Sequence, residues 1–159
     1  MGRGDQATLT EGRIAPDVPL STLGGAQVRL SSLVADGPVL LAFYKGTCPV
    51  CQLTLPFLNR IGGGNLRVYA VSQDNETKSR AFAREFGIEY DFLIDPSDLF
   101  EASNAFGITH VPSMFLIGPD LQVRWASFGF VKADLEELGQ IAGSSVIRKT
   151  DNVPAAKPG

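Results

Sequence analysis

The sequence lacks several features that would point to particular functions. Its 159 residues contain no cluster of basic residues and carry a formal net charge of −3, which argues against nucleic acid as a partner. The longest apolar run, residues 38–44, is far shorter than the roughly 20 residues that cross a bilayer. The first residues contain no apolar segment typical of a signal peptide. We therefore expect a cytoplasmic protein, or a periplasmic or exported one if a leader was removed.

Metal-binding residues are also scarce, because the chain has two cysteines, one histidine and two methionines. A structural zinc site needs four ligands, usually cysteine or histidine, so a carboxylate would have to complete the set. Copper(I) can bind two thiolates, but the methionines do not cluster near the cysteines. We expect no metal and no other cofactor, with a zinc clip and a copper-binding module as open alternatives.

Both cysteines stand in one short segment, residues 44–51 (YKGTCPVC). A disulfide across so short a loop would remove only about 2 kcal/mol of unfolded-chain entropy, so a purely structural role adds little to a domain with an ordinary core. Pro49 suits the first position of a helix, which makes Cys48 the N-cap. The free N–H groups and dipole of the helix end favour a thiolate at Cys48, and Cys51 lies one turn later within reach. The pair therefore favours redox exchange, with Cys48 as the exposed nucleophile and Cys51 as the buried resolving cysteine.

The hydrophobic pattern predicts alternating strands and helices around this segment. The apolar run 39–44 is typical of a strand covered on both faces, and helical spacing follows it from Val50 to Ile61, before a glycine run. Further elements are predicted as follows: a hairpin about Gly24-Gly25, a helical turn at 30–33, strands at 66–71, 92–94, 113–117 and from Leu121, and helices at 75–86, 99–106 and 131–141. This order predicts one α/β domain over residues 14–142, with a mixed central sheet flanked by helices. The polar segments 1–13 and 143–159 predict flexible termini.

Over about residues 14–142 the sequence resembles the thioredoxin-like superfamily. Segments 15–20 (APDVPL), 43–51 (FYKGTCPVC) and 107–113 (GITHVPS) are similar to motifs of the TlpA/ResA-like thiol–disulfide oxidoreductases and the related redoxin, or AhpC/TSA, group. Pro56 matches the proline that kinks the first helix of that group. The unit at about 75–94 resembles the helix–strand insertion that separates the group from plain thioredoxin.

The resemblance implies roles for residues around the cysteine pair. It implies that Pro112 is cis and lies against the pair, which leaves the backbone of Val111 free to bind an extended substrate strand. Thr47, which replaces a frequent tryptophan, and Pro49 join them in the substrate-binding rim. Two carboxylates common in the group are absent, since this chain has Ala42 and Thr54 at those positions. We expect water or His110 to accept the proton of the buried thiol, with Thr54 as a further candidate.

These observations predict a thiol–disulfide oxidoreductase that exchanges electrons with protein disulfides and with an unidentified thiol donor, as a monomer. The alternative is a peroxiredoxin-like thiol peroxidase, because relatives of that type share the Gly-Thr-Cys-Pro-x-Cys run. The PxxxTxxC pattern of peroxiredoxins is absent, however, since Thr47 directly precedes Cys48 and Pro112 stands where those enzymes carry an arginine. The direction of electron flow depends on the reduction potential, which no motif encodes.

Overall fold

The structure is a computed structural model that describes residues 7–61, 66–95 and 99–159. Its strands are β1 (Pro19–Thr22), β2 (Gln27–Arg29), β3 (Val39–Tyr44), β4 (Arg67–Ser72), β5 (Asp91–Ile94), β6 (Ser113–Ile117), β7 (Val123–Phe128), β8 (Phe130–Val131) and β9 (Ala156–Lys157). Its α-helices are α1 (Leu30–Leu33), α2 (Pro49–Thr54), α3 (Glu76–Phe86), α4 (Glu101–Ala105) and α5 (Lys132–Ala142). Short 3-10 helices cover Val34–Asp36 and Leu55–Arg60.

In the described part of the chain, seven strands form one mixed sheet in the order β2-β1-β5-β4-β3-β6-β7. β3, β4 and β5 are parallel, because the segments that contain α2 and α3 cross over between them. β6 pairs antiparallel with both β3 and β7, which confirms the predicted closing hairpin. The N-terminal hairpin of β1 and β2 joins the sheet through an antiparallel pairing of β1 with β5. The predicted α/β architecture, with its mixed sheet and inserted α3–β5 unit, is therefore present.

The core lies on both faces of the central strand β3, whose six residues are all buried. Leu41 and Phe43 point into one apolar layer, whereas Leu40 and Ala42 point into the other. Burial of each large apolar side chain is worth about 1.5–3 kcal/mol, so this strand is a firm base for the loop that follows it. Among the described residues, none of the helices has the length and apolar character needed to cross a bilayer.

Two predicted helices are shorter in the structure. α2 ends at Thr54 and continues as a 3-10 helix to Arg60, because Pro56 has no N–H to donate to an α-helical ladder. The helix predicted over 99–106 is reduced to Glu101–Ala105. The glycine run at 62–64, predicted to end the helix after the cysteines, lies outside the described residues.

The packed domain extends beyond the predicted limits, 14 and 142, in both directions. On the N-terminal side, the N–H of Leu9 donates to the carbonyl of Phe106. On the C-terminal side, Val146 is buried in the second apolar layer, and β9 pairs with β8. The polar composition of these segments concealed this packing, which combines backbone hydrogen bonds, an ion pair between Arg60 and Asp151, and a few scattered apolar side chains.

Candidate redox site

The cysteines follow β3 through a tight loop centred on Gly46. The Gly46 N–H donates to Asp74 Oδ2 at 2.8 Å, and its carbonyl accepts from Gln52 Nε2 at 2.8 Å. A Cβ at position 46 would lie 3.0 Å from the same Asp74 oxygen, so a larger residue would push the carboxylate away. The Cys48 N–H donates to the carbonyl of Lys45, which completes the turn into α2.

Cys48 is the N-cap of α2, as predicted. Its backbone is extended (φ −86°, ψ 114°), Pro49 follows at the start of the helix, and the Cys48 sulfur accepts the N–H of Cys51 at 3.2 Å. In its thiol form, Cys48 donates to the carbonyl of Val111 at 3.5 Å. The sulfur is half-buried, while its neighbours Thr47 and Pro49 are exposed. An incoming partner therefore meets Thr47, Cys48 and Pro49 at the rim.

Cys51 has the opposite environment, with an exposed fraction of 0%. It lies in an apolar cluster with Tyr44, Leu55, Phe82 and Phe92. The pKa of the Cys51 thiol lies far above its ordinary value, mainly because the thiol is buried. The hydrogen bond with Cys48 raises this pKa further. Cys51 therefore keeps its proton at neutral pH in the reduced protein and has to lose it before it can attack.

The Val111-Pro112 loop lies beside the first cysteine, and its peptide bond is cis, as the resemblance implied. Pro112 is buried, and its carbonyl accepts the Gly129 N–H at 2.8 Å. The backbone of Val111 is less open than expected. Gly159 approaches so closely that a Cβ there would clash with the Val111 carbonyl group.

Residues 12–126 match the AhpC/TSA family. The chain belongs to the AhpC/TSA family. It is 27% identical over 139 residues to the thiol-disulfide oxidoreductase ResA of Geobacillus thermodenitrificans (84% of this chain, 78% of that protein). It is 28% identical over 138 residues to ResA of Geobacillus kaustophilus (83% and 78%). A crystal structure of a thiol:disulfide interchange protein DsbE from Chlorobium tepidum has a TM-score of 0.72 at 26% identity, over 88% of this chain and 100% of that chain.

These similarities confirm two predictions from the sequence. The fold of this AhpC/TSA family member is thioredoxin-like. The enzyme class is also confirmed: the protein is a thiol–disulfide oxidoreductase with a CxxC pair.

Neither of the two groups predicted to move the proton of the buried thiol is hydrogen-bonded to it among the described residues. His110 is exposed, and its Nδ1 lies 3.0 Å from Thr109 Oγ1. The buried Thr54 hydroxyl donates to the carbonyl of Val50 at 2.7 Å. Within the described residues, neither side chain is hydrogen-bonded to Cys51. Their role in proton transfer stays a prediction.

Asp74 belongs to the site of this AhpC/TSA family member but was not predicted from its sequence. β3 and β4 are parallel neighbours with Tyr44 opposite Ser72, so Asp74 lies at the same sheet edge as the cysteine loop. The carboxyl ends of adjacent parallel strands are a frequent place for functional groups, and this signal was available in the predicted strand order. The charge of Asp74 adds to the raised pKa of Cys51. Together with Lys45, Thr47, Gln52 and others, Asp74 lines a cavity of about 470 Å³ beside the site.

Proposed function

We propose that this protein exchanges its Cys48–Cys51 dithiol with disulfides of other proteins, with Cys48 as the nucleophile and Cys51 as the resolving cysteine. One observation carries the proposal. A half-buried sulfur caps a helix beside the Val111-Pro112 loop, and a fully buried sulfur lies one turn deeper in the same helix. This arrangement separates the sulfur that a partner can reach from the one that it cannot.

In the first step, the Cys48 thiolate attacks one sulfur of the partner's disulfide. The bond between Cys48 and that sulfur forms as the partner's own S–S bond breaks, and the released partner thiolate takes up a proton. The Cys51 N–H, which points at the Cys48 sulfur, stabilises the attacking anion by a charge-assisted hydrogen bond.

In the second step, Cys51 loses its proton and attacks the Cys48 sulfur. The Cys48–Cys51 disulfide forms, the mixed disulfide breaks, and the second partner thiolate leaves and is protonated. Two electrons have then passed from the dithiol to the partner. The same steps in reverse oxidise a partner dithiol, and the reduction potentials decide which direction is favoured.

The test is reduction of insulin disulfides in the presence of dithiothreitol, with two cysteine variants. Cys48→Ser should abolish the activity, because Cys51 is inaccessible to a protein partner. Incubated with insulin in the absence of dithiothreitol, Cys51→Ser should accumulate a mixed disulfide through Cys48, visible as a mass increase that dithiothreitol then removes. A mixed disulfide formed through Cys51 in the Cys48→Ser chain would show that the two roles are reversed.

The AhpC/TSA family match favours one alternative, a thiol peroxidase that uses Cys48 to reduce hydroperoxides. The chain lacks the PxxxTxxC spacing of a peroxiredoxin, however, since Thr47 directly precedes Cys48. The cis-proline loop also adjoins the Cys48 sulfur. Consumption of hydrogen peroxide with a thiol donor separates the two proposals. Rapid peroxide turnover without insulin reduction would overturn disulfide exchange in favour of the peroxidase.

A further inference from the structure

Residues 153–159 run along one side of the redox site. β9 pairs antiparallel with β8, so that Lys157 lies opposite Phe130 and Ala156 opposite Val131. The Lys132 N–H extends the ladder by donating to the carbonyl of Ala155 at 2.9 Å. This segment is therefore held as an added strand, through its backbone.

The preceding residues fix where this segment starts. Arg60 Nη1 and Nη2 bind the two Asp151 carboxylate oxygens at 2.6 and 3.2 Å. The carbonyl of Val146 accepts a further hydrogen bond from Arg60, and the Val146 side chain is buried. The added strand consequently begins from a firm attachment.

At its other end, the segment reaches the cis-proline loop. A Cβ on Gly159 would lie 2.7 Å from the Val111 carbonyl carbon and 3.3 Å from the Pro112 nitrogen. The Val111 carbonyl oxygen is also the atom to which the Cys48 thiol donates. Gly129, with φ +74°, permits this approach, because a Cβ there would lie 2.5 Å from the Lys157 carbonyl. The segment thus connects the edge of β8 to the backbone next to the nucleophile.

We propose that the edge of β8 together with Val111 is the docking surface for an extended segment of the protein partner, and that residues 153–159 occupy it as an intramolecular ligand that the partner displaces. This inference rests on the proposed function, because it names where the disulfide-bearing partner docks. Strand addition is recognised through backbone groups, so a partner of different sequence can replace the tail. The tail itself, VPAAKPG, has small side chains and prolines suited to an extended conformation.

The weakness of the attachment is what makes displacement possible. The ladder between β8 and β9 spans two residue pairs, and residues 155–159 are exposed. Short, exposed pairings open at low free-energy cost. Because the tail belongs to the same chain, however, it competes with an incoming partner at a high effective concentration.

The experiment compares two chains that both carry Cys51→Ser, one with residues 1–159 and one with residues 1–152. Each is reacted with insulin and, separately, with 5,5′-dithiobis(2-nitrobenzoate), a small disulfide that needs only the Cys48 sulfur. Removal of the tail should raise the rate of mixed-disulfide formation with insulin about tenfold, as expected if the displaced form is a minor population. The rate with the small disulfide should stay unchanged, which would show that truncation leaves the reactivity of the Cys48 sulfur unaltered.

A point variant tests the same idea in the chain of 159 residues. Lys157→Pro removes the N–H that a residue in a paired strand can donate and should accelerate the insulin reaction in the same direction as truncation. Lys157→Ala removes the same charge but keeps the backbone donor. It should react as the unsubstituted chain does.

The outcomes separate this inference from the proposed function. If both chains react with insulin at the same rate, or the truncated chain reacts more slowly, the docking inference is overturned and disulfide exchange stands. If truncation raises the rates of reaction with both disulfides equally, the tail merely shields Cys48, and the docking inference is again overturned. If neither chain reacts with either disulfide, the proposed function fails, and the inference fails with it.

Discussion

Asp74 adds a negative charge at the edge of a site whose buried thiol is already difficult to ionise. Its carboxylate is fixed by the Gly46 N–H, and its own N–H donates to Ser72 Oγ at 3.0 Å. Through its charge it opposes ionisation of Cys51, in the same direction as burial. The ionisable group at this edge of the site is therefore a carboxylate, which disfavours the thiolate form of Cys51.

The first prediction concerns Asp74→Asn. The amide keeps an oxygen for the Gly46 N–H but removes the charge, so the pKa of Cys51 should fall. Resolution of a mixed disulfide on Cys48 should then begin at a lower pH than in the unsubstituted protein. The pH profile of single-turnover resolution, followed by rapid quench, measures this shift.

The exposed carboxylate Asp36 provides the control for that experiment, because Asp36→Asn changes the net charge equally. Its pH profile should match that of the unsubstituted protein. If Asp74→Asn instead moves resolution to higher pH, Asp74 accepts the Cys51 proton and does not merely oppose its loss.

At the level of elements, the inserted helix α3 acts as a cover over the buried cysteine. Asn75 caps the helix by accepting the Lys78 N–H at 2.9 Å, and Gly87, with φ +67°, ends it. Phe82 projects from α3 onto Tyr44, with ring centroids 4.5 Å apart, in the same apolar cluster as Cys51. The low exposure of Cys51 thus depends on an element that follows it by more than twenty residues.

A second prediction addresses this cover. Phe82→Ala should lower the free energy of unfolding by about 3–5 kcal/mol, because it leaves a cavity in a buried aromatic cluster. Water entering that cavity should also lower the pKa of Cys51, since desolvation is the main cause of its raised value. Urea denaturation and the pH dependence of alkylation at Cys51 give the two readings.

Ile141→Ala is a suitable comparison for this variant, because Ile141 is 51% exposed and lies outside the cluster. It should lose far less stability and leave the alkylation profile unchanged. A loss of stability in Phe82→Ala with no change at Cys51 would contradict the view of α3 as its cover.

Across the whole molecule, contacts between distant segments bring the C-terminal segment beside the redox site. β3 lies in the interior of the sheet, and the C-terminal segment pairs with the edge of β8. The ion pair between Arg60 and Asp151 links the 3-10 helix after the cysteines to the start of that segment. The position of the C-terminal segment therefore depends in part on this ion pair.

The last prediction tests this link by pH. The Arg60 guanidinium lowers the pKa of Asp151 from its ordinary value of 3.8 to about 2. A depressed carboxylate pKa stabilises the folded state above about pH 4, and this contribution is lost as the pH falls toward 2. Asp151→Asn should therefore be less stable than the unsubstituted protein at pH 7. The difference should vanish near pH 2, as measured by urea denaturation at each pH.

The exposed pair Arg80–Glu76 offers a control, since both of its side chains are about half exposed. Glu76→Gln should change stability little at either pH. A difference for Asp151→Asn that persisted undiminished at pH 2 would show that the carboxylate charge is not what stabilises the segment.

Local rules were sufficient to predict much of this protein from its residues. Cys48 and Pro49 identified the start of a helix, because capping depends on neighbouring residues alone. Periodicity located the strand 39–44 and the order of most elements, since side chains repeat with the geometry of each element. Resemblance added the cis-proline loop and the enzyme class.

The remaining features required folding in three dimensions. β1 pairs with β5, and residue 159 reaches Val111, although each pair is far apart in the chain. The raised pKa of Cys51 likewise depends on side chains from separate elements that exclude water together. No local pattern encodes such contacts, because they arise only when the sheet and its covering segments close around one another.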